Sequence, residues 1–230
     1  MTLVIPARGG SKGIPKKNLI MLGGMSLLGR AVRTAVNSLV DRVIVSTDDE
    51  DIAEEARRYG AQVVKRPEEI STDTAMTEQA VEHALMEVNA PDDELVVLMQ
   101  ATSPLTEPQD INNIVGMMGG QYDSIFSGVF AHGGCLCGGF RWTVKDGVAF
   151  PDDFDDPARR PMRQQIKTKK FIENGALWAF THKGITETLS RLYGVIGVYE
   201  MPRNRSFEID EIEDLEEVRR LKLAEGLRTL

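Results

Sequence analysis

Cysteine is nearly absent: the 230 residues contain two, Cys135 and Cys137, in one tight C-x-C. A pair so placed excludes a disulfide framework and points to reduced thiols. With His132 nearby, three ligands stand close together, one short of the four a structural zinc site uses. Long apolar runs are missing as well. Nothing approaches the roughly 20 residues that cross a bilayer, and Met1 leads straight into an apolar strand without a charged and hydrophobic leader. The expectation is a cytoplasmic protein with no membrane partner. Positive charge is in deficit: a formal net charge of −8 provides no basic field, which excludes a general nucleic-acid binder. Any polyanion must be held by a local cluster of cations. There is no internal repeat and no low-complexity tail, and 42% hydrophobic with 27% charged residues is the balance of an ordinary globular chain.

What is present alternates. Apolar strands at 3–6, 42–46, 61–64, 94–99 and 124–129 are separated by helical patterns, the first running from an N-cap at Ser26 to Ser38. Further helices are expected at 49–59, 74–88 and 107–118, the last with Pro108 in its first turn. This is the pattern of an α/β fold, a mostly parallel sheet covered by helices on both faces. From His132 to about Lys170 the periodicity fails. Asp152, Asp153, Asp155 and Asp156 are followed by Arg159, Arg160, Arg163, Lys167, Lys169 and Lys170. A stretch this long without periodicity reads as an arm or a functional loop. Strands resume at 177–180 and 195–199, and a charged helix at 211–225 follows.

The densest cluster of cations follows the first strand. Arg8-Gly9-Gly10-Ser11-Lys12-Gly13-Ile14-Pro15-Lys16-Lys17-Asn18 combines an arginine and three lysines with turn-forming glycines. A buried strand feeding such a turn exposes backbone N–H groups and cations together, which is what a polyphosphate needs. The loop matches neither G-x-x-x-x-G-K-[ST] nor G-x-G-x-x-G, so ATPase and dehydrogenase readings lose their main support. A nucleoside triphosphate is the expected ligand. Arg8 and Lys17 would neutralise phosphate oxygens, Lys12 would cradle the β- and γ-phosphates, and Gly9 and Gly10 would let backbone N–H groups approach. Open parallel sheets bind ligands beyond the carboxyl ends of their strands, where this chain carries Ser46-Thr47-Asp48 and Gln100-Ala101-Thr102-Ser103. Thr47 and Asp48 serve equally as helix caps, and Thr102 and Ser103 as turn residues before Pro104.

Glu208 and Asp210 stand two apart on an extended segment, so both carboxylates aim to one side while Phe207 and Ile209 face the core. Such a pair suits Mg²⁺, which takes one or two protein carboxylates plus substrate phosphates. Asp210 is the safer ligand, since the longer Glu208 can also act through water. A solvated acidic stretch ahead of a charged helix is the other reading.

Several motifs in order carry a resemblance: Ala7 to Leu19, Val43-Ile44-Val45-Ser46-Thr47-Asp48, Lys65-Arg66-Pro67, Asp73-Thr74-Ala75, Gln100-Ala101-Thr102-Ser103-Pro104-Leu105, Asn174-Gly175-Ala176 and Ser206-Phe207-Glu208-Ile209-Asp210. Over nearly its whole length the chain resembles the CMP-sialic acid synthetases, or acylneuraminate cytidylyltransferases. The resemblance implies a Rossmann-like, GT-A-like nucleotidyltransferase sandwich of three layers. It implies a single domain over residues 1–230, with 132–170 as a dimerisation arm. It implies that the anomeric hydroxyl of a sugar acid attacks the α-phosphorus of CTP, that pyrophosphate leaves, and that Mg²⁺ assists a homodimer with shared active sites. Ala7, Arg8, Gly9, Gly10, Ser11, Lys12 and Lys17 would then bind the nucleotide, and Arg66 would read cytosine at O2. Asn18, Gln100, Thr102, Ser103 and Asn174 would line the acceptor site, with Arg163 reaching its carboxylate from the partner subunit. Arg8, Lys12, Lys17, Gln100 and Asp210 would carry the chemistry.

The chain departs from the family in three places. Some members have polar side chains at the positions of Gly9 and Gly10, Asp-x-Asp where this chain has Glu208 and Asp210, and a basic residue near Glu173. Sialic, legionaminic and pseudaminic acids remain open as acceptors. So do Kdo, a phosphonate, and a catalytically weak nucleotide-binding regulator on the same fold.

Overall fold

The computed structural model describes residues 1–130, 142–145, 148–151 and 171–228. Its strands are β1 (Thr2–Pro6), β2 (Met21–Leu22), β3 (Met25–Ser26), β4 (Arg42–Thr47), β5 (Gln62–Lys65), β6 (Leu95–Met99), β7 (Ser124–Phe130), β8 (Trp142–Lys145), β9 (Val148–Pro151), β10 (Phe171–Thr181) and β11 (Ile196–Glu200). The helices are α1 (Leu27–Val36), α2 (Glu50–Arg58), α3 (Thr77–Glu87), α4 (Pro108–Met117), α5 (His182–Thr188) and α6 (Ile212–Arg228). Seven strands form one sheet in the order β11-β7-β10-β6-β1-β4-β5. β10 runs antiparallel to both its neighbours, and the other pairings are parallel.

Coverage on both faces explains the uninterrupted apolar runs of β1 and β6. Leu3 and Ile5 point into a layer with α1, α2 and α4, where Val32, Ile52 and Ile111 meet them. Val4, between them, points into the opposite layer with Val81 and Leu85 of α3 and Ile185 of α5. Successive side chains of one strand thus serve the two layers in turn. The expected three-layer, mostly parallel architecture is what the chain adopts. Ser26 caps α1 as expected, its Oγ accepting from Gly29 N at 2.8 Å. No helix among the described residues is long and apolar enough to cross a membrane.

The chain passes from β1 to β4 and β5 on one side, then crosses back to place β6 on the other side of β1. Beyond the carboxyl ends of β1 and β6 the loops diverge and leave a crevice. Four local features depart from the expectations. A two-strand hairpin, β2–β3, precedes α1, and the seven-residue α5 follows β10. β10 is also longer than the strand expected at 177–180, since Phe171, Ile172 and Glu173 pair with β7 ahead of an irregularity between Glu173 and Trp178. Within 132–170, β8 and β9 pair as an antiparallel hairpin. His132, Cys135, Cys137, Arg159, Arg160, Arg163 and the acidic cluster at 152–156 lie outside the described residues.

Candidate active site

The phosphate-type loop leaves β1 with Ala7 N donating to Ser46 O at 2.9 Å, which prolongs the β1–β4 ladder. Asp49, not Thr47 or Asp48, caps α2 by accepting from Ile52 N at 3.0 Å. Asp48 is thereby left to accept from Gly9 N at 3.0 Å, which moors the loop. A Cβ on Gly9 would lie 2.6 Å from the Asp49 carboxylate, so glycine is required for this approach. At Gly10, which is exposed, a Cβ would meet nothing within 4 Å. Ser11 N closes a tight turn onto Gly9 O at 3.1 Å, and Asn18 Nδ2 holds Arg8 O at 3.2 Å.

The four cations of the loop divide by direction. Arg8 and Lys12 both reach Asp73, at 3.0 and 2.5 Å, and Arg8 also donates to Thr72 O at 2.8 Å. Lys12, with Arg8 behind it, holds the Asp73 carboxyl below the usual carboxylate range. Lys17 opens a short 3₁₀ turn and donates to Asp210 Oδ1 at 2.9 Å, its side chain only 15% exposed. Lys16 turns away to Asp51 at 2.7 Å.

Arg66 is buried beneath this loop. Its Nη2 donates to Ser46 O at 2.7 Å and its Nε to Ser46 Oγ at 3.2 Å, and among the described residues it forms no ion pair. Burial pushes the guanidinium below the usual arginine range; Asp48 opposes that shift and Arg8 adds to it. Arg66 borders a cavity of about 250 Å³ together with Arg8, Asn18, Asp73, Gln100 and Thr102. The strand ends and the loop therefore converge, as the positions of Arg8, Arg66 and Gln100 require.

A second cavity of about 540 Å³ adjoins the first at Gln100. Its wall includes Glu208 and Gly175, and further round it Glu78, Trp178 and Arg191. Gln100 sits between the two, its N donating to Ala176 O at 3.1 Å and its Oε1 accepting from Thr102 Oγ1 at 3.1 Å. The motif Asn174-Gly175-Ala176 builds this junction. Asn174 bridges the break in the β10–β7 ladder, accepting from Ser127 Oγ at 2.6 Å and donating to Ser206 Oγ at 2.9 Å. Gly175 has φ of +70°, and a Cβ there would run into the Glu208 carboxylate. Ser103 is buried, its Oγ on Gly175 O at 3.3 Å. The side chains of Ser103 and Asn174 are therefore engaged with the scaffold around the cavity.

Glu208 and Asp210 lie on an irregular segment, with Ile209 buried among Ile14, Leu22, Leu27 and Leu105 and Phe207 packed beside it. The alternation expected from the sequence holds. Ile209 N donates to Thr102 O at 2.8 Å, and a Cβ on Gly13 would come within 2.7 Å of Asp210 O, so loop and segment are in close contact. Upstream, Arg205 makes a two-pronged pair with the fully buried Asp110 at 2.6 and 2.8 Å, and Tyr199 OH donates to the same carboxylate at 2.8 Å. Burial pushes the half-buried Glu208 carboxyl up, and Asp210 adds to the shift against Lys17 and a Thr102 hydroxyl. A folded-state pKa raised above the unfolded value means that charging Glu208 costs stability as pH rises through that interval. Glu208→Gln is therefore expected to melt a few degrees above the wild type at pH 7 in metal-free buffer, with the gap closing in acid as Glu208 itself protonates. Thermal melts at both pH values check this; a lower melting point at pH 7 would contradict it.

Asp110, Arg205, Glu78, Trp178 and Arg191 have no counterpart among the residues singled out from the sequence. Arg191 and Glu78 are 113 positions apart and Arg205 and Asp110 are 95 apart, so no local pattern links them.

A basic glycine turn after β1, a buried arginine directly after β5 and a carboxylate pair facing the turn stand together at one edge of a mostly parallel α/β sheet. The chain belongs to the cytidylyltransferase family, whose profile matches residues 2–229. The resemblance read from the motifs is borne out by relatives. The chain is 37% identical over 215 residues to N-acylneuraminate cytidylyltransferase A of Danio rerio, covering 91% of this chain and 48% of that protein. It is 37% identical over 212 residues to the N-acylneuraminate cytidylyltransferase of Oncorhynchus mykiss, covering 90% and 46%. The chain thus spans about half the length of these relatives. It is 29% identical over 223 residues to the pseudaminic acid cytidylyltransferase of Campylobacter jejuni, covering 93% and 92%. Among solved structures, a CMP:2-keto-3-deoxy-manno-octonic acid synthetase complexed with CTP superposes with a TM-score of 0.71 at 18% identity, covering 97% of this chain and 98% of that one. A 4-diphosphocytidyl-2C-methyl-D-erythritol synthase gives 0.69 at 12% identity, covering 96% and 97%. These two likenesses establish the fold.

Proposed function

We propose that this chain transfers the cytidylyl group of CTP to a nonulosonic acid and releases pyrophosphate. The observation that carries the reading is Gln100, which lines both cavities and so joins the space beside Arg66 to the space beside Glu208. The names of the relatives, which act on acylneuraminate and pseudaminic acid, support the same substrates.

In this reading the triphosphate takes the place of Asp73 as partner of Arg8 and Lys12. Gly9 and Gly10 bring the backbone close, Ala7 and Ser11 flank them, and Lys17 neutralises a further phosphate oxygen. Arg66 already has its Nε and one Nη held by Ser46, so its orientation is set before a base arrives. It donates to cytosine O2, an acceptor that adenine lacks at the matching position. Gln100 orients the anomeric hydroxyl toward the α-phosphorus; the new O–P bond forms as the bond to the β-phosphate bridge breaks, and the hydroxyl proton passes to solvent. Asn18 and Thr102 complete the junction, and Ser103 and Asn174 act by shaping it. Nucleotidyl transfer asks mainly for such positioning and charge neutralisation.

The carboxylates fit Mg²⁺. Both are hard oxygen donors, and burial with like charge has already pushed Glu208 up, a cost a cation offsets. Asp210 with Glu208 would hold the ion, which supplies positive charge to the phosphates when bound. We assign the reaction to the cytoplasm, where CTP is available, and to a homodimer in which Arg163 of the partner subunit meets the acid's carboxylate.

The test is pyrophosphate release from CTP with sialic, legionaminic and pseudaminic acids and Kdo. Release is expected with at least one nonulosonic acid and absent without acid; release that ignores the acid would refute the reading.

A further inference from the structure

Resting on the proposed coupling of CTP to a sugar acid with a cation held by Glu208 and Asp210, we infer that Arg205 is a positioning residue: clamped on Asp110, it fixes the carboxylate segment against the loop that presents Gln100. Asp110 is fully buried, and each of its oxygens accepts twice. Oδ2 takes Arg205 Nη1 at 2.6 Å and Glu107 N at 2.8 Å, and Oδ1 takes Arg205 Nη2 and Tyr199 OH, both at 2.8 Å. Glu107 brings a second carboxylate to Arg205 Nη1 at 2.6 Å. One side chain thus joins three elements, the start of α4, the strand β11 and the 3₁₀ turn Arg203–Arg205. Arg205 lines neither of the two cavities, so it acts through its neighbours and not on substrate.

Position along the chain decides what the clamp does. Only Ser206 and Phe207 separate Arg205 from Glu208. On the other side, tight turns run back from α4 to the junction of the cavities: Thr106 Oγ1 donates to Ser103 O at 2.9 Å, and Ser103 N to Gln100 O at 3.3 Å. Near the site the two segments meet where Ile209 N donates to Thr102 O at 2.8 Å and where Leu105 packs beside Ile209. That contact sets their separation but leaves a pivot. Arg205 on Asp110 is a second attachment, and it sets their angle. A two-pronged guanidinium–carboxylate pair suits the task because its geometry is fixed in a plane. A buried ion pair adds little net stability over apolar residues of like volume, so stability alone does not account for a fully buried Asp110. Orientation does. Mg²⁺ tolerates little departure from octahedral geometry, and groups standing behind metal ligands govern affinity or activity by about 10–100-fold.

The experiment compares the wild type with Arg205→Lys, which keeps the charge and loses the fork, and with the double variant Asp110→Leu with Arg205→Met, which removes the pair without leaving a buried charge. Mn²⁺ alone is titrated into each protein and followed by electron paramagnetic resonance. Beside it, kcat, KM for CTP, the free Mg²⁺ giving half-maximal rate and the melting temperature are measured. Both variants should bind Mn²⁺ at least about tenfold more weakly, need correspondingly more Mg²⁺ and lose at least about tenfold in kcat, while KM for CTP at saturating Mg²⁺ stays close to wild type. Wild-type Mn²⁺ affinity in either folded variant, whatever its melting temperature, would show that the clamp holds the fold and nothing more, and overturns the inference. A wild type that couples CTP to an acid yet binds no Mn²⁺ overturns it too and leaves cytidylyl transfer standing. A wild type that binds Mn²⁺ but couples no acid overturns the proposed function, and the Mn²⁺ titration alone then decides the clamp.

Discussion

Replacing Asp210 by Asn is expected to lower turnover at least about a hundredfold without loosening the fold. The side chain is exposed and keeps its shape, so packing is untouched. What disappears is a negative charge that sits 2.9 Å from Lys17 and helps push Glu208 up. Removing it relieves the like-charge repulsion, so the melting temperature should hold or rise while Mg²⁺ is bound less tightly. Initial rates across a Mg²⁺ titration, with a parallel melt, separate the two effects. Near-normal turnover at low Mg²⁺ would mean that the ion is held elsewhere.

The second large effect concerns a single lysine among neighbours. Lys16 and Lys17 are adjacent, yet Lys16 adopts a left-handed conformation, φ 51°, and turns out to Asp51, whereas Lys17 turns in to Asp210. A triphosphate facing the loop would then meet the second and not the first. Lys17→Ala should therefore reduce kcat/KM for CTP by about 10²–10³-fold, the loss typical of removing a preorganised donor from developing charge. Lys16→Ala should leave it close to wild type. Equal effects of the two substitutions would show that the loop acts as a diffuse basic patch and not through directed contacts.

Two-sided burial made the sheet legible. Leu3, Val4 and Ile5, or Val96, Val97 and Leu98, read as strands because no face of them is polar. Ser26 announced its helix because a hydroxyl at that position satisfies an amide that otherwise has no partner. Glu208 and Asp210 were legible because Ile209 has to be buried between them. The hairpin β2–β3 escaped because two-residue strands have no period, and its turn depends on Gly23 and Gly24 at φ of +60° and +81°. Asp73 escaped as the common partner of Arg8 and Lys12 for a different reason: the loop bearing it approaches β1 only once β5 has been laid beside β4. The clamp of Arg205 on Asp110 and the wall of Arg191, Glu78 and Trp178 are tertiary constructions, invisible to any window along the chain. Base recognition at Arg66 came from the resemblance; its burial and its two bonds to Ser46 came from the structure.

The most direct test of cytidylyl transfer is to identify the product. Incubating the protein with Mg²⁺, a nonulosonic acid and either CTP or ATP, and following the mixture by mass spectrometry and a pyrophosphate assay, reads base choice and bond formation together. A CMP–acid conjugate is expected to form in step with pyrophosphate from CTP, with at least about a hundredfold less conjugate from ATP, since adenine lacks the C2 carbonyl oxygen that cytosine presents to Arg66. Conjugates from both nucleotides at comparable kcat/KM, or CTP broken down with no conjugate at all, would contradict it.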